Sequence, residues 1–384
     1  MGIPILLVAT TTSWLGTARM PRALAKAGFD VSLLTPRHSL TETSRFVAKI
    51  GYLADDAAPR QWVDSFAAMV KSTVPRLVIP CDDMSFRLLG WVGLAPPGEM
   101  RAELKLQLAA LVRASLGDPA YYQPSIDKTL LPPLAEALGI RVPPYAVVAG
   151  LADADAFIAR HAYPAVLKRS HGFAGEGVAL CADRDELERA FAAFALANAH
   201  EIREAATDRY LLQAHVTGSV RLFHAVAWQG ELIAGWALEK LVVHPAPTGA
   251  STVTRYSCGA ELRRIVAELA RGCGISGIFF AEFIVDAASG TTYLLEINRR
   301  VGPATHQGAL RNVDLCAALF SALAGTASTS RTALDAEEEG IIVNFPQEWL
   351  RDPQSPYLYQ YPSDLPWDEP ELFKALFELG HDRA

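Results

Sequence analysis

Two strand-length runs, residues 278–285 and 292–298, carry acids among aromatic and aliphatic residues and are joined by a short turn containing Gly290. Successive side chains on a strand alternate between faces, so residues two apart share one. Glu296 and Asn298 therefore point together, and the turn over 287–290 folds Glu282 onto the neighbouring strand opposite them. Phe279, Phe280, Phe283, Leu294 and Leu295 place this hairpin in a core. Two carboxylates buried side by side are unfavourable unless a cation neutralises them. Oxygen ligands from two acids and an amide suit Mg²⁺, which keeps water and substrate phosphates in its other positions. The alternative is a polar strand edge facing solvent.

The 384 residues suggest two or three domains, at roughly 150 residues each, enough to fold without disulfides or a structural metal. Up to residue 117, apolar runs at 5–9, 31–34 and 77–80 alternate with helical stretches at 18–27 and 62–70. That alternation implies a parallel sheet with covered faces, which binds ligands at the carboxyl ends of its strands. Those ends are the hydroxyl-rich turn 10–16 and the Asp82-Asp83 turn. The first turn lacks GxGxxG, which disfavours an NAD-linked enzyme. From residue 118 the chain reads as mostly antiparallel sheet with helices on one side, including a long alanine-rich helix over 185–206. After residue 325 it turns polar, acidic and rich in proline and aromatics, and ends in a helix over 369–379.

Several classes are disfavoured. The net charge is −7 with no basic stripe, unlike a protein that grips nucleic acid. No run reaches the roughly 18 apolar residues of a membrane span, and the opening residues lack a basic leader, so a soluble, cytoplasmic protein is expected. Five cysteines at wide spacings, Cys81, Cys181, Cys258, Cys273 and Cys316, fit neither a disulfide framework nor a zinc site.

Lys168 ends a strand and opens the glycine-rich loop 169–177, where an ammonium and free backbone N–H groups can meet phosphate oxygens. Lys128 and Lys240 are individually unremarkable. Taken together, however, the segments Ser-Ile-Asp-Lys128-Thr, Tyr-Pro-Ala-Val-Leu-Lys168 with its loop, Leu-Leu-Gln213-Ala-His215-Val216-Thr-Gly218 and Glu296-Ile-Asn298-Arg-Arg300 resemble the ATP-grasp family over residues 1–325. The resemblance implies a mixed α/β and α+β fold. Its parts would be a Rossmann-like parallel-sheet domain at 1–117, a small nucleotide-binding subdomain at 118–210, a larger metal-binding subdomain at 211–327 and an arm packed on the body at 328–384.

It further implies an ATP-dependent carboxylate–amine ligase, with ATP and one or two Mg²⁺ (or Mn²⁺) ions as cofactors. Lys128, Lys168, Ser170, Gly172, Gly175, Gly177, Gln213, His215, Val216 and Lys240 would bind nucleotide, and Glu282, Glu296 and Asn298 would hold metal. Lys240 and Arg300 would serve the transferring phosphoryl group, with a salt bridge as the rival role for Arg300. Small carboxylate and amine substrates are expected partners, and a homodimer is possible. A nucleotide-binding sensor or scaffold without catalysis is the alternative. The chain departs from the family at Val220, where an acid often holds the ribose, and in the loop residues His171, Phe173 and Glu176. The polar, proline-broken segment 244–255 is expected to be a mobile lid, with Ser251, Thr252 and Arg255 as candidate substrate contacts. His306 is a further candidate, to touch substrate or to support a residue that does.

Overall fold

The computed structural model describes residues 2–12, 15–54, 59–95, 100–171, 177–200, 209–246 and 249–379. Three sheets organise them. The first holds β1 (Ile3–Val8), β2 (Phe29–Pro36), β3 (Lys49–Leu53) and β4 (Leu77–Pro80), all parallel, in the order β3-β2-β1-β4. The unbroken apolar run of β1 reflects a strand buried on both faces. Ile5 and Leu7 join a core with Met20 and Leu24, while Leu6 and Val8 join another with Trp62, Phe66, Phe86 and Leu89. β3 was not anticipated: its residues alternate without a strong apolar face and it lies at the sheet edge.

The second sheet holds β5 (Tyr145–Val148), β6 (Ala165–Arg169), β7 (Val178–Cys181) and β8 (Tyr210–Ala214), antiparallel in the order β5-β8-β6-β7. Helices Leu151–His161 and Arg184–His200 cover one face, where Phe157 and Leu187 meet Ala165, Leu167 and Leu212. By alternation Val166, Lys168 and Gln213 project from the other face. β8 crosses the expected subdomain boundary at residue 210, yet all of it belongs to this small sheet. The helix expected over 185–206 is described to His200; residues 201–208 lie outside the described residues.

The third sheet holds β9 (Gly218–Trp228), β10 (Glu231–His244), β11 (Ala250–Ser257), β12 (Gly277–Asp286), β13 (Thr292–Asn298) and β14 (Gly340–Val343), antiparallel in the order β13-β12-β9-β10-β11-β14. Phe279, Ala281 and Phe283 pack beneath helix Ala260–Gly272. Ile278 and Phe280 turn to the other face and share a core with Trp236 and the first sheet's Ile5 and Leu7. The segment after residue 328 thus does more than pack on the body, because its β14 pairs with β11 through Val253↔Val343 and Thr254↔Ile342.

That pairing overturns the lid expectation. Ala250–Ser257 is a strand paired with β10 along its length and with β14 over Val253–Tyr256, with Thr252 and Thr254 buried; residues 247–248 of the expected lid lie outside the described residues. Among the described residues no helix is long and apolar enough to cross a membrane.

Candidate active site

β12 and β13 pair with Glu282 directly across from Glu296 and Phe280 across from Asn298; the turn alone would set Leu295 across from Glu282, and a register shift between Glu282 and Phe283 brings Glu296 there instead. Three lysines converge on the two carboxylates. Lys240, two strands away on β10, places Nζ 2.9 Å from Glu282 Oε2. Lys128 Nζ lies 3.6 Å from Glu296 Oε2. Lys168, buried on the helix-free face of the small sheet, is close enough to feel both carboxylates and Lys128.

The electrostatics follow from this packing. Burial pushes the Glu296 carboxyl up, but Lys128, the Asn298 amide, Lys168 and Lys240 outweigh it and hold it down at about 2. Burial drags the Lys168 ammonium down to about 8 against the pull of Glu296. For Lys240, burial is outweighed by Glu282, which holds the ammonium above its ordinary value.

Local structure explains how Lys128 is presented. Asp127 Oδ1 accepts from Thr129 N and Oγ1 at 2.8 and 2.7 Å, fixing the turn, and Lys128 N donates to Ser170 O at 2.8 Å. The second bond ties this turn to the start of the glycine-rich loop. Ser170 is buried and its Oγ lies 3.0 Å from His171 Nδ1. Gly177, at φ +72, closes the loop with its carbonyl accepting from Arg169 N. Gly172, Phe173, Gly175 and Glu176 lie outside the described residues.

Gln213 is buried on β8, across from Tyr145 and Val166, and the exposed His215 donates its N–H to Pro164 O at 3.3 Å. His215, Val216 and Thr217 carry the chain from the small sheet to β9, which begins at Gly218. A Cβ there would lie 2.0 Å from Val285 O, so the close strand approach demands glycine. Val220 pairs with Ile284 on β12.

The remaining candidates are distributed differently. Arg300 is buried; its Nε donates to Asp83 Oδ2 at 2.8 Å and its Nη2 to Asn298 Oδ1 at 3.1 Å. The salt bridge considered as its rival role is present. Ser251 offers its carbonyl to Asn344 Nδ2, Thr252 is buried with its hydroxyl 3.5 Å from Val242 O, and Arg255 pairs with Glu239 at 3.4 Å. Ser251, Thr252 and Arg255 thus contact Asn344, Val242 and Glu239 rather than the lysine–carboxylate cluster. His306 Nε2 lies 2.9 Å from Asp364 Oδ2, while its Nδ1 is buried with no hydrogen-bond partner among the described residues.

Arg299 escaped the sequence reading, and Asp82 was named there only as part of a turn at a strand end. Arg299, buried, donates to Ser125 Oγ at 3.2 Å and to Leu116 O, and lies 5.2 Å from the Phe86 ring centre. It ties the Glu-Ile-Asn-Arg strand end to the segment that presents Lys128. Asp82 accepts from Thr10 N at 2.6 Å, Thr11 N at 3.2 Å and Ser85 N at 2.7 Å. It therefore consumes backbone donors of the turn that had been considered for substrate.

Glu282, Glu296 and Asn298 form an all-oxygen donor set of the kind Mg²⁺ takes. Among the described residues no group of three or more His, Cys, Asp or Glu side chains assembles as a metal site, so the fit rests on two carboxylates and one amide. The Asn298 oxygen it needs is the one that accepts from Arg300.

No family model and no curated protein matches the chain. Solved structures do. The biotin carboxylase domain of 2-oxoglutarate carboxylase from Hydrogenobacter thermophilus, in complex with MgADP, ADP and bicarbonate, aligns at TM-score 0.66 and 16% identity over 89% of this chain and 74% of that one. N5-carboxyaminoimidazole synthetase from Staphylococcus aureus with ADP aligns at 0.64 and 14%, over 89% and 82%. L-amino acid ligase from Bacillus licheniformis aligns at 0.59 and 14%, over 83% and 74%.

Proposed function

Because the chain has the ATP-grasp fold, we propose that it is an ATP- and Mg²⁺-dependent ligase that joins a small carboxylate to an amine and releases ADP and phosphate. The observation that supports this best is the cluster of Lys128, Lys168 and Lys240 around Glu282 and Glu296. Three ammonium groups against two carboxylates leave one positive charge in excess, in a partly buried setting where charge acts strongly. Such a site suits a polyphosphate.

In this reading Lys128, Lys168 and Lys240 neutralise phosphate oxygens. Ser170 and the Gly177 end of the loop lie over them, and Gln213, His215 and Val216 border the adenine. Glu282, Glu296 and Asn298 would hold Mg²⁺, which when bound neutralises phosphoryl charge and fixes its geometry. The substrate carboxylate takes the γ-phosphoryl group to give an acyl phosphate and ADP. The amine then attacks its carbonyl carbon as phosphate leaves. Phosphoryl transfer asks mainly for positioning and charge stabilisation, which these residues can supply. Arg300, its guanidinium held by Asp83 and Asn298, would act on the transferring group or acyl-phosphate oxygens through its charge. His306, whose buried Nδ1 has no hydrogen-bond partner among the described residues, is the candidate for an acceptor contact.

The test is ADP release with Mg²⁺ and ATP over a panel of amino acids and small carboxylic acids, with hydroxylamine to trap an acyl phosphate. Stimulation by a carboxylate is expected. Nucleotide binding with no stimulated turnover would instead favour a nucleotide-binding protein without catalysis.

The Lys168 shift gives a pH prediction. With a value of about 8, its ammonium in the free protein loses its proton as the pH rises through 8. Phosphate favours the charged form, so binding raises that value and takes up protons near pH 8–9. Calorimetry of ADP binding in buffers of different ionisation enthalpy should show net uptake there and weaker affinity at higher pH, both absent in Lys168→Met. Equal proton uptake in that variant would exclude Lys168 as the source.

A further inference from the structure

Resting on the ligase reading above, we propose that Asp83 is a positioning residue for the metal-holding end of the site, acting through Arg300 and Asn298. Asp83 opens the helix Asp83–Leu94 that follows β4, so it stands at the carboxyl end of the parallel sheet, whereas Glu296 and Asn298 belong to β13. Its backbone is fixed by its neighbour. Asp82 caps the same helix through a reciprocal pair with Ser85 and clamps Thr10 and Thr11 at the end of β1.

From Asp83 a line of polar contacts runs into the candidate site. Its Oδ2 accepts from Arg300 Nε at 2.8 Å, Arg300 Nη2 donates to Asn298 Oδ1 at 3.1 Å, and Asn298 Nδ2 donates to Glu296 Oε1 at 3.0 Å. Each contact sets the next. A guanidinium only donates, so it selects the oxygen end of the Asn298 amide and commits the nitrogen end to Glu296. The Arg300 side chain is only 4% exposed, so its charge is costly without a carboxylate beside it. Without Asp83, the anion two residues along from its Asn298 contact is Glu296, the carboxylate that a metal requires. Asp83 therefore keeps a buried cation from competing with the metal, and couples the parallel sheet to the metal-holding strand. A merely structural bridge between sheets would stabilise the fold and leave metal affinity unchanged.

The test compares wild type with Asp83→Asn, measuring Mn²⁺ binding in the presence of ADP by electron paramagnetic resonance, ADP binding in EDTA and the thermal midpoint. Loss of a group that orients a metal ligand typically weakens metal binding about 10- to 100-fold. A loss of that size is expected, with metal-free ADP binding unchanged and the Mg²⁺ requirement of turnover raised more than kcat is lowered. Asp83→Glu keeps the charge while displacing the carboxylate by one methylene, and should show a smaller loss in the same direction even if Asp83→Asn fails to fold. Wild-type Mn²⁺ affinity in the folded variants overturns the proposal, as does a loss of metal-free ADP binding equal to that of Mn²⁺. Wild-type protein that binds neither ADP nor Mn²⁺ overturns the ligase reading and this inference with it. Wild type that binds both while the variants match it overturns this inference alone.

Discussion

Glu296→Ala is expected to lower carboxylate-stimulated ADP release about 10³-fold or more, the scale on which removal of a single electrostatic partner acts in a preorganised site. Glu296 is a point of convergence. Lys128 lies 3.6 Å from one oxygen, the Asn298 amide donates to the other at 3.0 Å, and Lys168 and Lys240 add their fields. Alanine removes the proposed metal ligand and leaves the Lys128 and Lys168 ammoniums without the carboxylate between them. The second effect has its own signature. Without its carboxylate partner, the Lys168 ammonium falls further below about 8. A folded-state lysine value below its unfolded one makes the unfolded chain bind more protons, so the variant should regain stability as the pH rises from there toward 10.5. Steady-state ADP release and thermal melts across pH check the two parts. Full activity in Glu296→Ala would remove the metal assignment.

Arg299→Ala is expected to cost about 3 kcal/mol of stability, from a large-to-small change at a buried position and from acceptors left without a donor. Burial drags this guanidinium down to about 10, so it is still charged at neutral pH. It holds Leu116 O at the end of helix Ala102–Leu116, Ser125 Oγ and the face of Phe86. Ser125 stands three residues before Lys128, so the loss should also weaken ADP binding. Lysine should rescue neither property, because an ammonium cannot reproduce the planar, divergent fork. The thermal midpoint and the ADP dissociation constant are the measurements. A midpoint and affinity equal to wild type would show that Arg299 is dispensable.

What could be read in advance was whatever local period or spacing encodes. The short turn brought Glu282 onto the strand of Glu296, although the pairing of the two also needs a one-residue bulge that no local period marks, and β1 and β4 declared themselves as apolar runs ended by polar turns. Contacts between distant segments carry no such mark. Nothing near Arg300 signals a partner 217 positions away in Asp83, and nothing near Arg299 signals Ser125. The lid reading failed for a different reason. Pro245, Pro247 and Gly249 suggested mobility, while Thr252, Val253 and Thr254, β-branched residues that favour strands, were given too little weight. Strand β14 carries the apolar run Ile341-Ile342-Val343, but its partner β11 had been assigned to that lid.

The place of β14 bears on how such a protein can be divided. A short strand supplied from after residue 328 completes a sheet begined more than a hundred residues earlier, so the boundary suggested by texture is not a cleavable seam. Shortening the chain there would bare the backbone donors and acceptors of β11 along Val253–Tyr256, making an adhesive edge of a strand now paired on both sides. The arm is in this respect the sheet's protection against self-association, and a minimal folded fragment would have to keep it.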